Sequence, residues 1–594
     1  MTSILLGTLP WHDGEKKMHD LLRVPAQDNP TVPALSPGAS LLLRRSPLLA
    51  IGAIDHQGRP WSTVWGGKVG FATTVSPSTI DIKTIVDGKY DPLADILLRD
   101  DQGVESSNLI SGLAIDLENR RRVKLHGHMV SGLLDENNDS GFAHLVVQID
   151  ASLVTGNCPK YLNIKHIVPA LPEPKLISDS AQLPQGAVDL VGRADCLFVS
   201  SHRETIDMDT NIRGGPPGFV RIISNQPSGA VFAYPEYSGN RLYQTLGNLQ
   251  TTPLAGYVFP DFETGNVVHV TGQTEVLFGK EAANLLPRSN LAVKVSVTAA
   301  RYIEKALSFR GIAGTPSPYN PPVRHLATEK PIMASVNNER PSVTATMVMK
   351  ELITPTVARF RFRISDPAKI DTWKPGQYAT FSFQEELDMG YHHMQDDDPS
   401  SLNDDYIRTF TITSSPGEGH TASEFEITAR RKGNVTNYLF RTYEGAGLEI
   451  PLLGFGGDFH LTKPDTQTVL PFVAGGIGIT PLIAQLPDTN QLRLLWTIAI
   501  PDIGLVSDLF NRFPQLPQST TLFITGPNAQ CEEIRQTLET VELLAASVRH
   551  RRMEAGDLDL SWGEVWYFCG GPSLKSSVLN WLTGKSVIYE DFSY

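Results

Sequence analysis

Ile407-Arg408-Thr409-Phe410-Thr411-Ile412-Thr413-Ser414-Ser415-Pro416 packs a cation, an aromatic ring and a hydroxyl into four residues ahead of a proline stop. The β-branched and aromatic residues favour a strand, and Pro416 ends it. An arginine beside an aromatic of exposed type points to something planar and anionic lying along that strand. Period-two alternation puts Arg408 and Phe410 on one face and Thr411 on the other, so twist or an edge contact must bring the hydroxyl round. On this stretch alone the plain reading, a half-buried strand with a surface arginine, stays open.

The stretch resembles the Arg-x-aromatic-Ser/Thr motif of the ferredoxin-NADP reductase family. The resemblance implies that Arg408 pairs with the FAD pyrophosphate, Phe410 stacks on the isoalloxazine and the Thr411 hydroxyl hydrogen-bonds N5, the atom that receives hydride. Further landmarks follow the family's order. Trp373-Lys374-Pro375-Gly376-Gln377-Tyr378 precedes the strand, and Leu453-Gly454-Phe455-Gly456-Gly457-Asp458-Phe459 closes the barrel. Between them, Lys432-Gly433-Asn434-Val435-Thr436 puts a glycine and a capping threonine at a helix start, where free backbone N–H groups face an anion. The resemblance assigns Gly433, Val435 and Thr436 to the pyrophosphate; the plain alternative is an ordinary capped helix.

From Val469 the pattern changes to continuous apolar strands alternating with helical segments, the mark of a parallel α/β sheet. Val469–Val473 runs into Ala474-Gly475-Gly476-Ile477-Gly478-Ile479-Thr480-Pro481, which is not a GxGxxG fingerprint. Thr480 reads as an N-cap and Pro481 as the first helical residue, so that Gly475, Gly476 and Gly478 face an anion. Val565–Cys569 ends in Gly570-Gly571-Pro572, with a helix expected from about Ser573. Two such loops at the carboxyl ends of parallel strands are where a dinucleotide binds. The resemblance sets Cys569 and Gly570 against the nicotinamide and Thr480 against its carboxamide, and matches Glu590-Asp591-Phe592 to a terminus whose aromatic, here Phe592, covers the flavin. A lone cysteine ending a buried strand is otherwise a small core residue. Trp496 to Asn511 contains no basic residue, which favours NADH, whereas Arg549, Arg551 and Arg552 would favour NADPH.

The first half repeats itself. Gly66-Gly67-Lys68-Val69-Gly70-Phe71 recurs as Gly214-Gly215-Pro216-Pro217-Gly218-Phe219, an offset of 148; Gly112 and Gly256 lie 144 apart, Gly127 and Gly272 145 apart. Each copy opens on a short apolar strand and continues through glycine-punctuated alternating segments, the pattern of a small antiparallel barrel. With Gly58-Arg59-Pro60-Trp61 and Asn119-Arg120-Arg121-Arg122, the region resembles the FMN-binding split barrel of the pyridoxamine-phosphate-oxidase type. That resemblance implies an internal pseudo-dimer and raises FMN as a second cofactor. The second copy has the fuller set of cations and hydroxyls, Arg213, Ser238, Asn240 and Arg241. The alternative, glycines shaping turns and solvated arginines, stays open.

At 594 residues the chain needs several cores. The fold expected is multidomain: tandem split β-barrels (1–310), a Pro-rich linker (311–341), a β-barrel FAD-binding domain (342–463) and a parallel α/β nucleotide-binding domain (464–594). Glu385 to Asp405 inserts eight carboxylates and no lysine or arginine, read as a solvated loop with docking of a basic partner as the rival, and His392-His393 within it as loop residues. A net charge of −13 argues against nucleic acid, no apolar run reaches a membrane span, and the amino terminus has no basic region or long apolar stretch, so the cytoplasm is the expected location. The four cysteines lie at least 38 positions apart, which excludes a locally encoded zinc or iron–sulfur site. The expected activity is an FAD-dependent NAD(P)H oxidoreductase passing electrons to FMN or a small organic acceptor. Its rivals are a reductase feeding a separate redox partner protein, and a split barrel serving as a non-catalytic scaffold. The sequence leaves the oligomeric state open.

Overall fold

The structure is a computed structural model that describes residues 8–99, 109–137, 140–155, 160–329, 343–388, 390, 394–417, 423–461, 469–486, 491–526 and 532–590. The chain forms two compact units, one of residues 1–335 with 391–404, the other of residues 336–390 with 405–594.

The first unit holds two antiparallel sheets. In the first run Leu48–Ile54 (β1), Pro60–Gly66 (β2), Ala72–Ser76 (β3), Thr79–Asp87 (β4), Leu109–Ile115 (β5), Arg122–Asn137 (β6) and Ser140–Thr155 (β7), in spatial order β2-β1-β5-β6-β7-β4-β3. In the second run Cys196–Arg203 (β8), Asp207–Gly214 (β9), Arg221–Gln226 (β10), Gly229–Pro235 (β11), Leu254–Pro260 (β12), Val267–Phe278 (β13) and Leu291–Glu304 (β14), in the order β9-β8-β12-β13-β14-β11-β10. Adding seven to each label of the first order gives the second. The repeated glycines fall at equivalent places: Gly66 and Gly214 end β2 and β9, and Gly127 and Gly272 both sit at register shifts. A β-carbon there would lie 1.9 Å from the Gln148 carbonyl oxygen and 2.4 Å from that of Ser296, so the bulge itself demands glycine.

The two sheets meet reciprocally. Strand β2 packs on β12 and β13, and its counterpart β9 packs on β5 and β6, the pattern a two-fold axis imposes. Leu48, Val64 and Leu113 from one side and Phe198, Ile212 and Val258 from the other form one apolar core across this seam. The backbones come close at Gly256, where a β-carbon would stand 2.5 Å from Trp61 Cα. Polar groups inside the seam are matched: Thr210 Oγ1 lies 2.6 Å from Ser111 Oγ and 2.8 Å from Ser200 Oγ, and buried Lys124 is ion-paired to Asp209. The helix Asp13–Leu21 (α1) crosses Gln244–Thr251 (α2) backbone to backbone, since a β-carbon on Gly14 would fall 2.1 Å from the Gly247 carbonyl oxygen.

Two segments differ from their sequence reading. Residues 311–329 do not form a free spacer: Phe309–Ala313 pairs with Lys165–Pro169, and Tyr319 and Leu326 are buried. Proline denies this stretch an extended ladder, but its apolar side chains still hold it on the unit. The acidic insertion is likewise anchored from residue 394. Tyr319 donates to Asp396 Oδ1 at 2.6 Å, and Arg324 Nη2 donates to the Asn403 carbonyl at 2.9 Å. Asn403 Oδ1 accepts from Ser238 N at 3.2 Å, while its Nδ2 donates to the Tyr161 hydroxyl at 2.8 Å. His392 and His393 lie outside the described residues.

The second unit combines an antiparallel barrel with a parallel sheet. Thr344–Leu352 (β15), Val357–Ile364 (β16), Tyr378–Ser382 (β17), Ile407–Thr411 (β18), Glu424–Arg430 (β19) and Glu449–Gly456 (β20) run in the order β18-β17-β20-β15-β16-β19, around a core rich in phenylalanine. Leu470–Gly475 (β21), Leu492–Ala499 (β22), Thr520–Thr525 (β23), Ser547–Arg549 (β24), Val565–Cys569 (β25) and Ser586–Glu590 (β26) form an all-parallel sheet in the order β24-β23-β22-β21-β25-β26. The chain winds outward from β21 to β24, then returns to place β25 on the other side of β21. The switch point therefore lies between β21 and β25, at their carboxyl ends.

Candidate functional site

The Arg408 stretch is strand β18, at the edge of the barrel's strand order. Arg408 and Phe410 are half-buried, and Thr411 is buried at 6% exposure. Phe410 leans on the barrel core, its ring centroid 6.1 Å from that of Phe381. Thr411 is in register with Tyr378 on β17, and Tyr378 in turn with Gly456 on β20. The two glycines of Phe455-Gly456-Gly457 lie flat against this tyrosine: β-carbons there would be 3.1 and 3.0 Å from its ring. Burial and the nearby charges of Glu590 and Asp458 push the Tyr378 hydroxyl up to about 12, so it keeps its proton at neutral pH.

Glu590, whose charge is among those that raise Tyr378, belongs to the parallel sheet. It ends β26 in register with Cys569, the last residue of β25, and Cys569 is in register with Ala474 of β21. The two glycine loops then touch. A β-carbon on Gly478 would stand 2.2 Å from the Cys569 carbonyl oxygen, and one on Gly475 would stand 3.2 Å from Gly570 Cα. Gly476 takes a left-handed φ of 57°, and its carbonyl accepts from Trp496 Nε1 at 3.0 Å. Thr411 and Tyr378 are thus neighbours at the barrel edge, and Glu590, Cys569 and Gly478 are neighbours at the switch point.

Barrel and sheet are fastened together. The Pro375-Gly376-Gln377 turn presses on Phe459, whose carbonyl oxygen would be 2.0 Å from a β-carbon on Gly376. Gln485 accepts from Leu461 N at 2.9 Å and donates to the Pro481 carbonyl at 2.7 Å. Arg430 reaches Asp502 at 3.1 Å, and Arg359 pairs with Asp508.

The expected helix caps are drawn differently. Thr480 is not an N-cap: a 3₁₀ turn over Gly476–Ile479 carries the backbone directly into the helix Thr480–Ile483, with no side-chain cap, and Thr480 is buried at 3% exposure. At the other helix, Asn434–Arg441 (α3), the cap position is Gly433; the Thr436 hydroxyl reaches back to accept from Gly433 N at 3.0 Å and Lys432 N at 2.8 Å. Val435 is buried in the barrel core, leaving only its backbone for a ligand, while no heavy atom lies within 4 Å of a β-carbon on Gly433. Helix Pro572–Trp581 (α4) starts one residue before the expected Ser573. Phe592 lies outside the described residues.

In the first unit, Ser238, Asn240 and Arg241 share the loop after β11, and Arg213 ends near the loop's start. Several of their groups are engaged within the chain. Arg213 Nε donates to Glu236 Oε1 at 2.6 Å, the Ser238 backbone N donates to Asn403 and its carbonyl accepts from Tyr161, Asn240 Oδ1 accepts from Leu242 N at 3.2 Å, and the Arg241 carbonyl accepts from Gln27 Nε2 at 3.0 Å. A flavin phosphate with nearly two negative charges needs cations whose charge is not already matched. Arg213, expected as such a cation, has its charge met by Glu236. Arg213 is therefore poorly suited to hold an FMN phosphate.

Among the described residues no group of three or more His, Cys, Asp or Glu side chains could hold a metal ion, and no helix is long and apolar enough to cross a membrane.

No protein-family model matches the chain. Among curated proteins it is similar to the flavohemoprotein of Oceanobacillus iheyensis, 26% identical over 136 residues, 22% of this chain and 29% of that protein. It is also similar to the flavohemoprotein of Halalkalibacterium halodurans, 28% identical over 145 residues, 23% of this chain and 30% of that protein. The chain thus spans about a third of the length of the curated relatives it matches. Among solved structures it is similar to the FAD/NAD-binding domain of the Vibrio cholerae nitric oxide dioxygenase, at 18% identity and a TM-score of 0.31, over 42% of this chain and 98% of that one. Phthalate dioxygenase reductase is similar at 15% identity and a TM-score of 0.28, over 42% of this chain and 67% of that one.

Proposed function

We propose that the protein is an FAD-dependent NAD(P)H oxidoreductase whose second unit is a ferredoxin-NADP-reductase-like module. The observation that carries this reading is the meeting of two glycine loops, Gly478 against the Cys569 carbonyl, at the switch point of a parallel sheet that follows an antiparallel barrel with Arg408 on its edge strand. The stretch shared with flavohemoproteins supports it.

In this reading the edge strand β18 and the open backbone at Gly433 hold FAD: Arg408 and the backbone from Gly433 to Thr436 on the pyrophosphate, Phe410 on the ring, Thr411 at N5. Bound FAD supplies a two-electron hydride acceptor. The chain's own work is alignment. Gly475, Gly476, Gly478 and Gly570 let backbone approach the dinucleotide closely, and buried Thr480 and Cys569 fix the nicotinamide's depth. Tyr378, holding its proton, keeps Glu590 from facing a second charge at the junction. Bringing donor and acceptor atoms to about 3–3.5 Å and excluding water is the larger part of such catalysis.

The first unit is read as a pair of pyridoxamine-phosphate-oxidase-like split barrels. Equal strand order, equivalent glycines and the reciprocal seam support a duplicated domain. With the Arg213 charge met by Glu236, we assign one flavin, FAD, to each chain. Electrons leave for a small organic acceptor, or for a separate redox protein, in the cytoplasm. The test is flavin analysis of the heat-released cofactor together with NADH and NADPH oxidation using ferricyanide. FAD at one per chain with dinucleotide-dependent reduction is expected. A protein that cannot be loaded with FAD and oxidises neither dinucleotide ends the reductase reading, and released FMN ends the one-flavin assignment.

A further inference from the structure

We propose that the chain selects NADH against NADPH, and that Asp557 enforces the choice by occupying the two arginines at the far edge of the dinucleotide site. The inference rests on the reductase reading above. NADPH differs from NADH only in a 2′-phosphate on the adenosine ribose, which needs an uncommitted cation where the adenosine lies.

A dinucleotide seated at the β21/β25 switch point extends its adenosine half over the carboxyl ends of the strands beyond, β22 and β23. The sequence leaving those strand ends is poor in cations. From Thr497 to Asn511 and from Thr525 to Ile534 there is no lysine, arginine or histidine, and Asp502, Asp508, Glu532 and Glu533 fall within these stretches. Three arginines follow at this edge from the next strand, of which Arg552 is exposed to solvent while Arg549 and Arg551 lie against β23. Arg549 ends β24 in register with Phe523 of β23, and Arg551 follows two residues later; both guanidinium carbons lie 5.8 Å from the Phe523 ring centroid.

Both are held by one carboxylate. Arg551 forms a two-pronged pair with Asp557, Nη2 to Oδ1 at 2.6 Å and Nη1 to Oδ2 at 2.7 Å, and Arg549 Nη1 donates to the same Oδ1. The Asp557 side chain is 2% exposed and is fixed further by Glu554 N, which donates to Oδ2 at 2.8 Å. His550, between the two arginines, lies 3.0 Å from Glu542. The paired fork that would recognise a phosphate is therefore spent on Asp557. A 2′-phosphate entering here meets guanidinia already bonded to Asp557, a buried carboxylate that repels it, with a second carboxylate, Glu554, 3.7 Å from Arg551.

The experiment uses the full-length, FAD-loaded protein and measures kcat/KM for NADH and for NADPH with ferricyanide as acceptor. The wild type should favour NADH by at least about ten-fold. Asp557→Asn, which keeps the side-chain shape and removes the charge, should raise NADPH kcat/KM several-fold through KM and make NADPH use more sensitive to salt. Arg551→Ala serves where the Asp557 variant does not fold. If the arginine takes no part in wild-type recognition, the NADH-to-NADPH ratio stays within about two-fold, whereas a collapse of residual NADPH activity shows it reading the phosphate. Equal or better use of NADPH by the wild type overturns the selectivity, and an Asp557→Asn ratio equal to the wild type's overturns the role of Asp557. Oxidation of neither dinucleotide removes the reductase reading itself.

Discussion

Gly478 approaches Cys569 so closely that a β-carbon on the glycine would stand 2.2 Å from the cysteine's carbonyl oxygen. That contact sets the spacing of the two loops at the switch point. Gly478→Ala must push the β21 loop off the β25 loop, at a cost of about 1–3 kcal/mol of stability. Urea denaturation reads that cost, and KM for NADH should rise at least as steeply as kcat falls. A variant with wild-type stability and KM would show that the loops part without consequence.

Arg408 is the single cation on the barrel's edge strand β18. Arg408→Ala should weaken FAD retention by about 1.5–3 kcal/mol, the range of a hydrogen bond to a charged group. Recovery of flavin fluorescence on dilution measures it. Unchanged affinity would remove Arg408 as the pyrophosphate anchor.

Glu15 on α1 is buried, and that burial, reinforced by the charges of Asp207 and Asp209 and opposed by its bond from the His12 backbone and by Lys124, raises its pKa to about 7. The folded chain therefore binds this proton more tightly than the unfolded chain does. Its stabilising effect is complete below the ordinary carboxyl value of 4.5, declines as pH rises toward 7 and is gone above that. The fall should approach about 3 kcal/mol between pH 5 and 8. Glu15→Gln should flatten the difference between urea melts at those two pH values; a slope as steep as the wild type's would place the titration elsewhere.

Lys124 and Asp209 form a buried pair across the seam, with side chains 7% and 10% exposed. Removing one partner leaves the other charge uncompensated, so Lys124→Met or Asp209→Leu alone should cost about 3–5 kcal/mol. The double variant should recover much of that loss. A double-variant cost equal to the sum of the two singles would show that the pair is not coupled.

What the sequence disclosed and what it hid divide by range. The glycines at 127 and 272 are legible because a bulge forces the residue type, and the same holds for the loops after Ala474 and Cys569, where a strand, glycines and a proline follow one another. The Arg408 strand was placed correctly, with Thr411 facing inward as alternation requires. Contacts between distant segments left no local trace. Nothing near Arg213 marks Glu236 as its partner, because that pairing arises only when strands close. The cap at Thr480 was misread because a 3₁₀ turn and a capped helix start share the same glycines. The carboxylates after Glu385 suggest solvent, yet Asp396 accepts from Tyr319 and the uncharged Asn403 among them bonds Ser238, Tyr161 and Arg324.

The placement of residues 391–404 bears on how such a chain can be taken apart. The polypeptide leaves its second unit in mid-barrel, contributes to the first, and returns just before Arg408. A single cut near residue 335 therefore yields no intact half: the amino-terminal fragment lacks the loop that holds Tyr161 and Arg324, and the carboxyl-terminal fragment carries that loop stripped of its seat.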